Sequence, residues 1–143
     1  MLKMKLAVAL ATCALSAALA AQAAELVVIV SANTPVTALR SDQVAGIFLG
    51  ETSGFPEGGE AVAVDQGMGS PLRDEFYRKV ANRSPALMKA YWTKMIFTGR
   101  GQPPREAPGS AIVRRMVADN PGMIGYIERT ALDPSVRPVL VLK

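Results

Sequence analysis

The chain has 143 residues, 50% of them hydrophobic and 20% charged, with 12 Gly, 10 Pro, one Cys and no His. That length is enough for one domain and one apolar core. With no His, and with its one Cys, Cys13, in the leader-like N-terminal run, the rest of the chain is read as excluding zinc, haem, iron–sulfur and Cys or His nucleophile chemistry.

Lys3 and Lys5 precede an Ala-rich apolar run that ends in Ala21-Gln22-Ala23. This is the pattern of a secretory signal peptide over residues 1–23, which predicts a periplasmic protein with one domain over 24–143. Taking Lys3 and Lys5 from the 16 basic residues leaves 14 against 12 acidic, a net charge of +2. Because these charges are interspersed, nucleic-acid binding has no electrostatic footprint. The one cysteine, Cys13, falls in the leader, so the remainder has no thiol and no disulfide. Leu10-Ala11-Thr12-Cys13 resembles a lipoprotein cleavage box, a minor alternative in which Cys13 would be acylated. Thr12 is large for that position, and apolar sequence continues well past Cys13.

Glu25 to Ser31 (ELVVIVS) reads as a strand covered on both faces. Ser41, as cap, opens a short helix with Val44, Ile47 and Phe48 at helical spacing, closed by Gly50. Glu51 to Glu60 is a Gly/Pro loop, and Ala61 to Asp65 is a second strand. Ser70-Pro71 and Ser84-Pro85 each start a helix, over about 71–82 and 85–96. Tyr91 and Trp92 in the second of these are read as core. Thr98 to Pro108 reads as one long exposed loop. Ser110 caps a helix through Asp119, and Met123 to Ile127 and Arg137 to Leu142 are the last strands. The order β-α-β-α-α-α-β-β predicts an α/β domain with a mainly parallel mixed sheet flanked by helices.

The strand-to-helix turn Asp65-Gln66-Gly67-Met68-Gly69-Ser70 holds the main chemical signal. Free N–H groups at a helix start, beside Gly67 and Gly69, suit a small oxyanion, and Arg73 could add a charge-assisted bond. The plainer reading makes Ser70 a cap and pairs Arg73 with Asp74 or Glu75. The third glycine of a dinucleotide fingerprint would fall at Leu72, and no Walker motif exists. The acids Asp65, Asp74, Glu75, Asp119 and Glu128 form no recognised pairing, and Ser31 and Ser70 have no His to activate them, so the chain is not read as an enzyme. No metal site and no cofactor is expected.

Three segments carry a family resemblance: Val44 to Gly50 (VAGIFLG), Asp65 to Phe76, and Pro121 to Ile127 (PGMIGYI). They resemble, in order, the "IF-x-G" turn, the Arg-x-x-Gly-Ser-Gly-Thr-x-x-x-Phe phosphate segment and the "PGAIGYV" strand of phosphate ABC transporter substrate-binding proteins. The resemblance implies a single lobe of the type II periplasmic-binding-protein fold and binding of phosphate or a similar oxyanion. A full binding protein has two lobes, whereas this chain has residues for one. Pro71 also removes an N–H from the motif, so Ser70, the Gly69 backbone and Arg73 are what carry over. Ser31, Asn33 and Thr34, after the first strand, are expected to line the same sheet edge as Gly67.

The alternative is a non-catalytic interaction or sensor module that keeps the lobe without tight ligand binding. Its partner would be an ABC permease, a membrane sensor or an outer-membrane protein, reached through Arg100 and Arg105 on the long loop. A homodimer would rebuild a two-sided cleft.

Overall fold

The computed structural model describes residues 25–143. The signal-peptide and Cys13 expectations lie outside the described residues. The elements are β1 (Leu26–Ser31), α1 (Ser41–Phe48), β2 (Val62–Gln66), α2 (Pro71–Ala81), α3 (Pro85–Phe97), β3 (Arg105–Ala107), α4 (Ser110–Asp119), β4 (Met123–Glu128), a short 3₁₀ turn (Arg129–Ala131) and β5 (Val136–Leu142).

One five-stranded sheet has the order β3-β2-β4-β1-β5. β2 is parallel to both β3 and β4, while β1 is antiparallel to β4 and β5. Four strands therefore share one direction and β1 alone runs against them.

The unbroken apolarity of β1 follows from its place between β4 and β5 with helices on both faces. Leu26, Val28 and Val30 join a large cluster with Val44, Phe48, Phe76 and Trp92 from α1, α2 and α3. Val27 and Ile29 point the other way and join Val113 and Val117 of α4. Each such residue, fully buried, contributes about 1.5–3 kcal/mol of hydrophobic transfer free energy. Phe76 stacks on Tyr126 at 3.9 Å between ring centroids, and Phe48 meets Phe76 edge-on at 4.7 Å. α4 lies so close to β4 that a Cβ on Gly125 would come within 2.6 Å of the Val113 side chain. Glycine is required there by contact rather than by backbone angle.

The Thr98 to Pro108 segment is not wholly loop. Residues 105–107 pair in parallel with Val64, Asp65 and Gln66 of β2 as an edge strand, and the prolines at 103 and 104 stop short of it. The composition hid three ladder residues, since proline is tolerated beside an edge strand. Two caps also shift. Ser41 and Ser110 are the first helical residues rather than caps, their N-cap positions being held by Arg40 and Gly109. The Arg40 N–H instead donates to Gln43 Oε1.

Candidate functional site

β2 brings Asp65 and Gln66 to the carboxyl edge of the sheet, where both are almost completely buried. Burying a carboxylate is tolerable only if its oxygens are matched by donors. The hydroxyls of Tyr77 on α2 and Tyr126 on β4 donate to Asp65, as does the Gln66 N–H, and the Arg73 guanidinium lies 3.8 Å away. Burial still pushes the Asp65 carboxyl above the ordinary aspartate value, against the lowering effect of Tyr126, Tyr77 and Arg73. The same burial, with the Asp65 charge, raises both tyrosine hydroxyls and keeps them protonated donors.

Arg73 completes this cluster. Its Nη1 donates to the Gln66 carbonyl at 3.2 Å and to Glu106 Oε1 at 2.7 Å. The sequence offered Asp74 or Glu75 as its partner, and the structure supplies Asp65 and Glu106 instead. Both of these bonds use Nη1, and Nε faces Asp65 as an ion pair at 3.8 Å, so two carboxylates offset the guanidinium charge while Nη2 makes no hydrogen bond to a described residue. Its evident work is to fix the residue just before the turn. Gln66 in turn donates to the Tyr126 carbonyl and to Ser110 Oγ, which also accepts the Glu128 N–H. The ends of β2 and β4 and the starts of α2 and α4 are stitched together at one point.

Above this buried cluster the turn is open. Gly69 takes φ +88°, which glycine adopts without strain. Ser70 is the N-cap of α2, but its hydroxyl makes no capping bond. Pro71 has no N–H and the Ser70 N–H donates to the Gly67 carbonyl at 3.0 Å, so the first-turn donors left open at the positive end of the helix dipole are the Leu72 and Arg73 N–H groups. Beside the turn is a cleft of about 460 Å³ lined by Gly69, Arg73, Tyr77, Met88, Trp92 and Glu106 among others. That volume falls in the range of small-molecule sites, roughly 300–1,000 Å³.

Ser31, Asn33 and Thr34 are not part of this site. Because β1 is antiparallel, its carboxyl end meets the start of β5, with Ser31 opposite Val136, at the far end of the sheet from Gln66. The expectation of a shared edge assumed that β1 was parallel to β2. The Ser31 hydroxyl is also committed, donating to the Ala118 carbonyl at 3.1 Å and accepting the Asn33 N–H at 3.2 Å. Arg137 on β5 donates to the carbonyls of Ala32, Thr34 and Val36. Arg105 lies on edge strand β3 and Arg100 just after α3, both exposed. Tyr77, Tyr126 and Glu106 were missed because their roles depend on contacts 12 to 61 residues away in the chain. The one available signal was a charged Asp65, followed by Gln66, at the end of an apolar run.

No protein-family model matches the sequence, and no curated protein matches it significantly. Solved structures do match. A protein of Clostridium perfringens assigned as a phosphate ABC transporter substrate-binding protein, solved with bound phosphate, superposes with a TM-score of 0.63 at 28% identity over 80% of this chain and 44% of that one. An ABC-type phosphate transport receptor from Vibrio cholerae gives 0.64 at 18% identity, covering 80% and 45% of the two chains. PstS from Borrelia burgdorferi gives 0.58 at 14% identity, covering 83% and 46%. This chain is built like one lobe of a phosphate substrate-binding protein. It spans less than half the length of these structures, and its mixed sheet with four helices corresponds to a single lobe of their periplasmic-binding-protein fold.

Proposed function

We propose that the chain is a non-catalytic, periplasmic binding module that holds phosphate or a similar small oxyanion at the Gly67–Ser70 turn, in a role tied to phosphate uptake or sensing. The observation that carries this reading is the uncapped start of α2. A helix N-terminus with an unbonded serine hydroxyl stands at the carboxyl end of a parallel strand. Its fold is matched by a protein solved with phosphate. Ser70 and the Gly67 and Gly69 backbone are the ligand-facing groups, and Arg73 is a positioning residue held by Glu106 and Asp65. A single lobe leaves the anion largely hydrated, so its affinity is modest.

A second reading is favoured by the pairing of Arg73 with two carboxylates, which withdraws the strongest cation from the turn. On that reading the lobe is an interaction module for a permease, sensor or outer-membrane protein, with Arg100 and Arg105 among the contacts. Calorimetric titration of the chain from Ala24 with phosphate and then sulfate, alongside its mass in solution, separates the two. Saturable heat with phosphate, weakened about tenfold or more in Ser70→Ala, supports oxyanion binding. No heat at millimolar phosphate in a folded protein selects the interaction module. A mass of two chains would bring in the homodimer as the source of a second wall.

A further inference from the structure

Residues 83–105 contain Arg83, Lys89, Lys94, Arg100 and Arg105 and neither Asp nor Glu. None of the five forms an ion pair with a described residue. The even mixing of charge expected from the sequence holds for the chain as a whole and fails on this segment. α3, which makes up most of it, buries only Met88 and Trp92. At helical spacing the opposite side presents Ala86, Ala90, Thr93 and Phe97, flanked by Lys89 and Lys94, and these six line one open, shallow depression. Phe97 is 91% exposed, and Leu87 and Ile96 on the same helix are more than half exposed, at 58% and 51%. Met68, 72% exposed, lines the adjoining cleft together with Ile96 and Lys89. Two acids, Asp74 and Glu106, line that cleft, and Glu106 is paired with Arg73.

We propose that this α3 face docks on an anionic lipid bilayer, with Phe97 and Ile96 entering the interface and Lys89, Lys94 and Arg100 meeting headgroup phosphates. Protruding apolar side chains beside unpaired cations are what such a surface rewards, through apolar burial and electrostatic attraction together. A second copy fits poorly, because a two-fold contact through α3 would set one unpaired basic face against another. The five unpaired cations call for an anionic occupant, and a fluid bilayer takes up the 91%-exposed Phe97 ring without needing a matching cavity. The contact is peripheral, since no helix among the described residues is long and apolar enough to cross a membrane.

The test is co-sedimentation of the chain from Ala24, which retains every described strand and helix, with vesicles of phosphatidylglycerol and phosphatidylethanolamine or of phosphatidylcholine alone. Binding to the anionic vesicles only, reversed by salt, is expected. Phe97→Ser, at a position too exposed to matter for folding, should lower partitioning about tenfold. The double variant K89E/K94E should lower it by at least about 25-fold, near fivefold per lysine. Circular dichroism melting checks that both variants fold. Three outcomes overturn the proposal: no binding or equal binding to the two vesicle types, variants that bind as tightly as the parent, or binding abolished by millimolar phosphate at constant ionic strength. The last would place headgroup recognition in the Gly67–Ser70 turn. Absent vesicle binding combined with a Phe97-dependent cross-link to an acidic membrane protein would reassign the face to a protein partner.

Discussion

Two turns in this molecule look alike in sequence and end up opposite in character. Each closes an apolar strand and is built mostly of small or polar residues: Ser31 to Thr34 at the end of β1, and Gly67 to Ser70 after β2, where Met68 is the exception. At the first, the serine hydroxyl is buried and doubly bonded, and Arg137 claims three carbonyls around it. At the second, the serine hydroxyl leaves the helix uncapped, and the local arginine bonds the Gln66 carbonyl before the turn and Glu106 on β3 rather than the turn itself. Strand direction separates them in space, and the placement of one arginine decides whether each turn is closed or open. A polar turn is thus a binding site only if its donors are not already spent within the protein.

The buried cluster beneath the open turn should be the most sensitive place to disturb this contrast. Asp65→Ala would leave two tyrosine hydroxyls, the Gln66 N–H and Arg73 short of their partner, and a loss of about 3–5 kcal/mol in urea unfolding is expected. The pH response has a fixed sign. The Asp65 carboxyl is raised in the folded state. Its contribution is therefore fully present below the unfolded aspartate value, near 3.8, and is lost as pH rises through the higher folded value. The stability of the parent relative to Asp65→Asn should accordingly fall as pH is raised across that window, and a rise would break the assignment.

Next in size is the clamp on the closed turn. Arg137→Ala frees three carbonyls and should cost about 2–3 kcal/mol by the same denaturation measurement, with phosphate titration unchanged. Ser31→Ala removes a buried hydroxyl bonded to the Ala118 carbonyl and should cost about 1–2 kcal/mol, again without effect on phosphate. Ser70→Ala sharpens the comparison most. With no capping bond to lose, its unfolding free energy should change by about 0.5 kcal/mol or less, as neutral surface changes show, while its phosphate affinity falls. A loss of stability near the usual ~1 kcal/mol of a serine cap would mean that Ser70 serves the helix and the open turn is not a site.

Much of the architecture was legible before any contact was known. The Ser84-Pro85 start, where Ser84 accepts the Leu87 N–H, follows from residue chemistry at a helix entrance. The covered position of β1 follows from six consecutive residues with no solvent-facing alternation. The edge strand at 105–107 was hidden by its prolines, and the cap at Ser110 was misplaced because that hydroxyl serves Gln66 and Glu128 instead of its own helix. The candidate turn was found from its glycines and Ser70, whereas the partners of Arg73 were not, because Glu106 is 33 residues away.

By itself the sequence determined the helical periodicities and the Ser-Pro helix entrances at Ser70-Pro71 and Ser84-Pro85, because these depend on side chains within one turn of each other. It also determined that two apolar faces had to be covered, one on each side of the sheet. Only the tertiary structure decided that β1 runs against its neighbours, since hydrophobic patterning reports burial and carries no strand direction. Only the packing of α2, β3 and β4 decided that Arg73 faces inward to Asp65 and Glu106, since the stability of a buried ion pair depends on groups that the fold alone brings within bonding distance.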